Sequence, residues 1–188
     1  MSGSKGAALH PRSGRKNQFI FRLIDWLTAA LLCALAAALL LFVVYTPVSI
    51  ASSGVSDLNA GDLVFASRLG KHLFGFGRGD SVVVKVQEGA SVVRHVRRVA
   101  AFSGEKVIVA DGALYIDGNL LDESSYAEAF PAELRMSFIV PSDSLLLLPD
   151  LRSEMSAEAV MRCLSPLSDI VGEVRFTAFP PSSIRFFS

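Results

Sequence analysis

An all-β domain carried on a single N-terminal transmembrane helix is the architecture this sequence predicts. Three observations predict it. Residues 26–45 form an uninterrupted run without charge, Gly or Pro. Beyond that run, short apolar segments alternate with Gly, Asp, Ser and Pro. Of the 188 residues, 51% are hydrophobic and only 19% charged, with a mean hydropathy of +0.45. That balance excludes a disordered chain and points to lipid contact.

The first 25 residues carry Lys5, Arg12, Arg15, Lys16 and Arg22 against Asp25. The whole chain holds 18 bases and 18 acids, so the remainder keeps 13 bases and 17 acids. The run that follows reads WLTAALLCALAAALLLFVVY. At about 1.5 Å rise per residue it spans roughly 30 Å, the thickness of a bilayer core. Ala and Leu favour helix, Trp26 and Tyr45 bracket the run as interfacial aromatics do, and Pro47 closes it. A cleavable signal peptide has an apolar region of about 7–15 residues. The longer run here favours an uncleaved anchor, although Ala51, Ser52 and Ser53 are small enough for a cleavage site. The excess of bases before the run places the tail in the cytoplasm and residues from about 47 onward outside. The expected division is a basic cytoplasmic tail at 1–25, a transmembrane helix at 26–46 and an extracytoplasmic domain at 47–188. Cys33 then lies in lipid and Cys163 stands alone outside, so no intramolecular disulfide is expected.

In the outer domain, residues 62–69, 80–87, 91–102, 105–111, 113–118, 145–149 and 172–179 read as strands. They are rich in Val, Ile, Leu and Phe and are bounded by turn residues. Asp111-Gly112 predicts a hairpin, with a second turn at Asp117-Gly118. Only 155–168 carries a helical signal, and its pattern is weak. The fold class is therefore all-β, a folded sheet or barrel on a membrane stalk.

Several chemistries find no support. A nucleic-acid binder normally has a basic excess, and this chain has a formal net charge of zero. Two cysteines, with histidines scattered at 10, 72 and 95, do not make a metal cluster. GFGRGD at 75–80 is Gly-rich but precedes a strand rather than opening a helix, so it reads as a turn and not a phosphate cradle. No cofactor is expected, and the oligomeric state is not set by the sequence.

The order of the blocks is more informative. Ser53 lies shortly after the span and eight residues before Gly61-Asp62. Gly79-Asp80 runs into VVVK, and then come VRRVAAFSGEKV, DGALYIDGNLL, VPSDSLLLLPDLR and IVGEVRFTAFPP. This ordered set, over roughly residues 20–185, resembles the bacterial type I signal peptidases. Those carry Ser-Met-x-Pro-Thr-Leu-x-x-Gly-Asp, Gly-Asp-Ile-Val, Lys-Arg-Val, Asp-Gly-x-Leu-Tyr-Val, Val-Pro-x-Gly ending in Gly-Asp-Asn-Arg, and a final Ile-x-Gly. The resemblance implies a signal-peptidase-like β domain at the outer face of the membrane. It also implies signal peptides or exported precursors as partners besides lipid, and a Ser nucleophile with a Lys general base. Such peptides enter as extended strands, so an exposed sheet edge would receive them.

On that resemblance Ser53 falls on the nucleophile and Arg97 on the catalytic Lys, followed by matching Arg98 and Val99. Gly54 stands for the Met, Ser56 for the Pro and Asp57 for the Thr. Gly-Asp-Asn-Arg reads Pro149-Asp150-Leu151-Arg152, and the Ser-x-Asp-Ser-Arg beyond it is reduced to Ser156-Ala157-Glu158-Ala159-Val160. A Ser hydroxyl needs a base within hydrogen-bond reach. Burial can lower a Lys pKa enough to serve, whereas Arg stays protonated. His95 shares a strand face with Arg97 and is a chemically sound substitute base. Two functions follow as expectations. One is a protein that engages exported segments without Ser-Lys proteolysis and acts in their binding or assembly. The other is an active serine endopeptidase using Ser53 with a non-standard base. The same residues also have bland readings: Ser53 as linker, His95 as an ordinary strand side chain, and Arg97 as a strand cation paired with Asp150 or another carboxylate.

Overall fold

A computed structural model describes residues 14–50, 52–56, 58–59, 61–67 and 75–179. The first element is a 31-residue helix, α1 (Gly14–Val44). Within it Ile20–Leu39 has a mean hydropathy of 1.8, and none of that span is buried against protein. Trp26, Leu27, Leu31, Leu35 and Leu39 are all exposed. A helix that is apolar all round and uncovered is suited to lipid. Helix formation reaches back through Arg22, Lys16 and Arg15, and it stops at Val44. Tyr45 therefore opens a strand rather than ending the helix, and Pro47 lies inside that strand, β1 (Tyr45–Ser49). Because β1 is an edge strand, Pro47 can face outward there without costing a ladder bond.

The remainder is built from strands: β2 (Ser52–Ser53), β3 (Leu63–Ser67), β4 (Ser81–Glu88), β5 (Ser91–Ala101), β6 (Lys106–Ala110), β7 (Ala113–Ile116) and β8 (Asn119–Leu120). Among the described residues β9 (Met136–Ile139), β10 (Ser144–Leu148), β11 (Leu164–Pro166) and β12 (Ile170–Phe179) complete them, with a short α-helix, α2 (Ala157–Met161), and a 3-10 turn at Leu167–Asp169. The all-β class holds. The weak helical signal at 155–168 resolves into α2, with Ser156 capping its N-terminus by accepting from the Ala159 amide at 3.2 Å.

The larger sheet has the order β1-β3-β12-β4-β5-β10-β11, with β2 added alongside β5. The smaller has the order β8-β7-β6-β9. β12 inserts between β3 and β4, so the C-terminal strand ties the two halves of the large sheet together. Val82, Val83 and Val84 are each fully buried, because both faces of β4 are covered. Val83 packs with Val48, Val64 and Val96 on one face, and Val82 and Val84 pack with Val99, Leu145 and Leu147 on the other. A third cluster, including Val107, Val109, Leu114, Leu146 and Leu148, joins the small sheet to β10. Each such side chain contributes about 1.5–3 kcal/mol by leaving water.

The two sequence-predicted turns form as expected. Asp111 and Gly112 have φ of 53° and 78°, and Asp117 and Gly118 have 50° and 84°. Paired positive φ values of this kind match the right-handed twist of the flanking strands, which is why Asp-Gly marks a tight hairpin.

Candidate active site

The central element is β5, which carries His95, Arg97 and Arg98. One edge of β5 pairs with β4 over residues 91–98. The other edge pairs with β10 over 98–101 and with β2 at 95–96. β2 runs parallel to β5, with Ser52 opposite His95 and Ser53 opposite Val96. The backbone at Ser53 is thus brought beside the residue preceding Arg97. The side chain of Ser53 lies outside what the structure describes. Among the described residues, positions 91–94 of β5 have no partner on this edge, and β1 pairs only with β3.

The segment after Ser53 is fastened at several points. The Gly54 amide donates to Val96 O at 3.0 Å, and Gly54 O accepts from the Asp150 amide at 2.5 Å. Asp150 Oδ2 accepts from both the amide and the hydroxyl of Ser56, at 2.9 and 3.0 Å. Gly54 has no room for a side chain, because a Cβ would lie 2.9 Å from Val96 O and 3.1 Å from Pro149 Cβ. A buried carboxylate holds this arrangement. Asp150 is 1% exposed and is forked by Arg98, with Nε to Oδ1 at 3.0 Å and Nη2 to Oδ2 at 3.4 Å. Arg98 also lies over the Tyr126 ring, 4.5 Å from its centroid, and donates to Gly79 O.

Arg98, and not Arg97, is therefore the partner of Asp150. Successive strand residues point to opposite faces, and Asp150 lies on the face of Arg98. Arg97 projects the other way and donates from Nη1 to the thiol of Cys163 at 3.1 Å. Cys163 is 4% exposed. Burial pushes its pKa up, against the opposing pull of Arg97, so the thiol stays neutral. Cys33 and Cys163 are both free thiols. His95 places Nε2 2.9 Å from Glu88 Oε1. That is an electrostatic contact with a β4 residue and not a hydrogen bond.

A second buried ion pair supports the first. Arg152, 1% exposed, donates Nη2 to Glu123 Oε1 at 2.9 Å and Nη1 to Oε2, and its Nε reaches Pro149 O at 2.6 Å. Tyr126 donates to Glu123 at 3.2 Å. Burial first, and the Glu123 charge second, push the Tyr126 phenol up to about 12. The folded domain then keeps this proton while the unfolded chain releases it near 10, so stability falls as pH rises between those values. In an ultraviolet titration one phenol step should fall near pH 12, and Tyr126→Phe should remove that late step. A Tyr126→Phe curve that keeps the late step would contradict this.

The sequence pointed to Asp150 and Arg152 as a block, but it offered Asp150 the wrong neighbouring cation and Arg152 no partner. Ser56, Glu123, Tyr126 and Cys163 carry no signal of their own, since their partners lie far away in the chain. Asp57 of the nucleophile block lies outside the described residues.

A β domain behind an N-terminal apolar helix, with a serine backbone laid parallel to a strand rich in bases, defines a class of membrane-anchored signal-peptidase-like proteins. The sequence model of the family described as signal peptidase, peptidase S26, matches residues 23–179. A probable signal peptidase I-1 of Synechocystis sp. is 31% identical over 173 residues, covering 88% of this chain and 85% of that protein. Signal peptidase I of Bacillus licheniformis is 24% identical over 173 residues, covering 87% of this chain and 92% of the relative. A crystal structure of signal peptidase I from Enterococcus faecalis V583 shares 19% identity, covering 52% of this chain and 95% of that one, with a TM-score of 0.41. The chain belongs to the signal peptidase S26 family. The apolar helix and this membership fit a membrane-anchored protein.

Proposed function

We propose that this chain captures signal peptides or exported segments at the outer face of the membrane without ordinary Ser-Lys proteolysis, serving their binding or assembly. The tail at 1–25 would be cytoplasmic, 26–46 would cross the membrane and 47–188 would receive the partner outside. One observation carries the reading: the position of the general base holds Arg97, whose guanidinium donates to the Cys163 thiol. An Arg side chain does not release its proton in a protein and cannot activate a serine. The unpartnered stretch of β5 supports capture of an extended segment by strand addition.

A second reading is favoured by the pairing of Ser53 with Val96, which sets the nucleophile position next to the base position. In that reading Ser53 attacks with a non-standard base. The two are separated by reconstituting the full chain with a signal-peptide precursor and comparing wild type with Ser53→Ala. The proposed function expects no cleavage by wild type and unchanged precursor binding by Ser53→Ala. Cleavage by wild type that disappears in Ser53→Ala would replace it with the second reading.

A further inference from the structure

The stretch of β5 left open to a captured segment is charged in a particular way. Arg94 of β5 is directly opposite Lys85 of β4, and both are exposed. Strand alternation puts them on the face that carries Val83 and Val96, both fully buried with Val48. A cavity of about 280 Å³ adjoins them, lined also by Thr46 and Val48 of β1 and by Ile170 and Val171 of β12. It borders two strands, β1 and β5, that each keep an edge unpaired among the described residues.

Like charges directly opposite across a sheet repel each other. Among the described residues no carboxylate relieves this pair: Glu88 contacts His95, and Glu173 of β12 pairs with Arg175 at 2.9 Å. A strand added along 91–94 places one residue directly opposite Arg94, on the same face, with Cβ atoms about 4.5–5.5 Å apart. Lys85 lies one strand further, about 10 Å from that residue's backbone, within reach of a long side chain. A carboxylate there turns the repulsion into joint attraction, and a guanidinium is the group suited to hold it by two parallel hydrogen bonds. The register is bounded on one side. The place opposite Val96 is taken by Ser53, so the carboxylate stops two residues short of it, about 7 Å along the strand. On the other side, the next residue of this face is Val92, 61% exposed, which an apolar side chain would cover.

We propose, resting on the capture reading above, that the captured segment is acidic. It presents Asp or Glu opposite Arg94 and an apolar residue two positions away, opposite Val92. Arg94 and Lys85 select that segment, and they repel one that carries Lys or Arg at the same place.

The test uses the full chain in phosphatidylcholine nanodiscs. The ligands are synthetic signal-peptide segments that differ at a single residue, Glu, Gln or Lys, moved in turn through the extended part. Binding is followed by fluorescence anisotropy, with the signal from empty discs subtracted. At one position Glu should bind about tenfold tighter than Gln, the joint effect of two cross-strand charge pairs, and Lys should bind more weakly than Gln. Lys85→Glu/Arg94→Glu should invert the order, and its tight binding of the Lys segment would show that the variant is folded. The milder Lys85→Gln/Arg94→Gln should bind all three alike. Equal binding of the three segments by wild type, a Glu preference of the same size at every position, or a preference that survives the charge reversal would overturn the acidic assignment and leave capture standing. No binding of any segment would overturn the capture reading, and the acidic assignment with it.

Discussion

Arg97→Lys should give the chain a cleavage activity of about 10²-fold over the wild-type background, at the lower end of what a general base supplies. The physical change is small in volume and large in acidity. A guanidinium holds its proton above pH 12, whereas an amine in a half-buried site has a pKa that burial can lower by several units. Arg97 sits on β5 one residue past the position that pairs with Ser53, so the introduced amine would start from the same backbone point. It would also lose the planar reach that brings Nη1 to the Cys163 thiol. Product formation from a signal-peptide precursor, measured by mass spectrometry, is the readout. The gain should vanish when Ser53→Ala is added. If Arg97→Lys cleaves no faster than wild type, the missing base is not what keeps the site silent, and the proposed reason for inactivity fails.

The largest stability effect should come from Arg152→Met. It strands Glu123, 8% exposed, without its cation, and it removes the contact to Pro149 O. Breaking one side of a buried ion pair costs about 3–5 kcal/mol. For a domain of this size that corresponds to a fall in Tm of about 10 °C. Replacing both partners, Arg152→Met with Glu123→Leu, should recover most of the loss, because no uncompensated charge then remains. Thermal unfolding followed by circular dichroism decides it. A double variant no more stable than the single one would show that packing around Arg152, including its position over the Phe130 ring, outweighs the charge.

The comparison between sequence and structure divides along the range of the interactions. The hairpin at Asp111-Gly112 was legible because its cause is local: two adjacent residues adopt positive φ, and Asp-Gly is suited to that. Long strands such as β4 and β5 were legible from their apolar runs. β9 and β11 were not foreseen. They have four and three residues, β11 includes Pro166, and each exists because a longer strand pairs with it. β2 is two residues long and is defined only by its parallel partner. The same distinction governs the site. The block order singled out Ser53 and Arg97. It did not reveal that Arg97 meets Cys163, 66 residues away, or that Arg98 is the residue that takes Asp150. Long-range side-chain partners leave no periodic trace in a sequence.

Gly54 limits which residues this corner of the fold accepts. The family pattern has a Met at this place, next to the serine. Here the backbone has closed against Val96 O and Pro149, leaving no space for even a methyl group. A larger residue here would meet main-chain atoms on one side and a proline on the other, and neither can swing away. Accommodating one would require the β5 backbone and the Pro149 segment to move together. Position 54 is thus a point in this segment where the main chain admits no side chain without the movement of its neighbours.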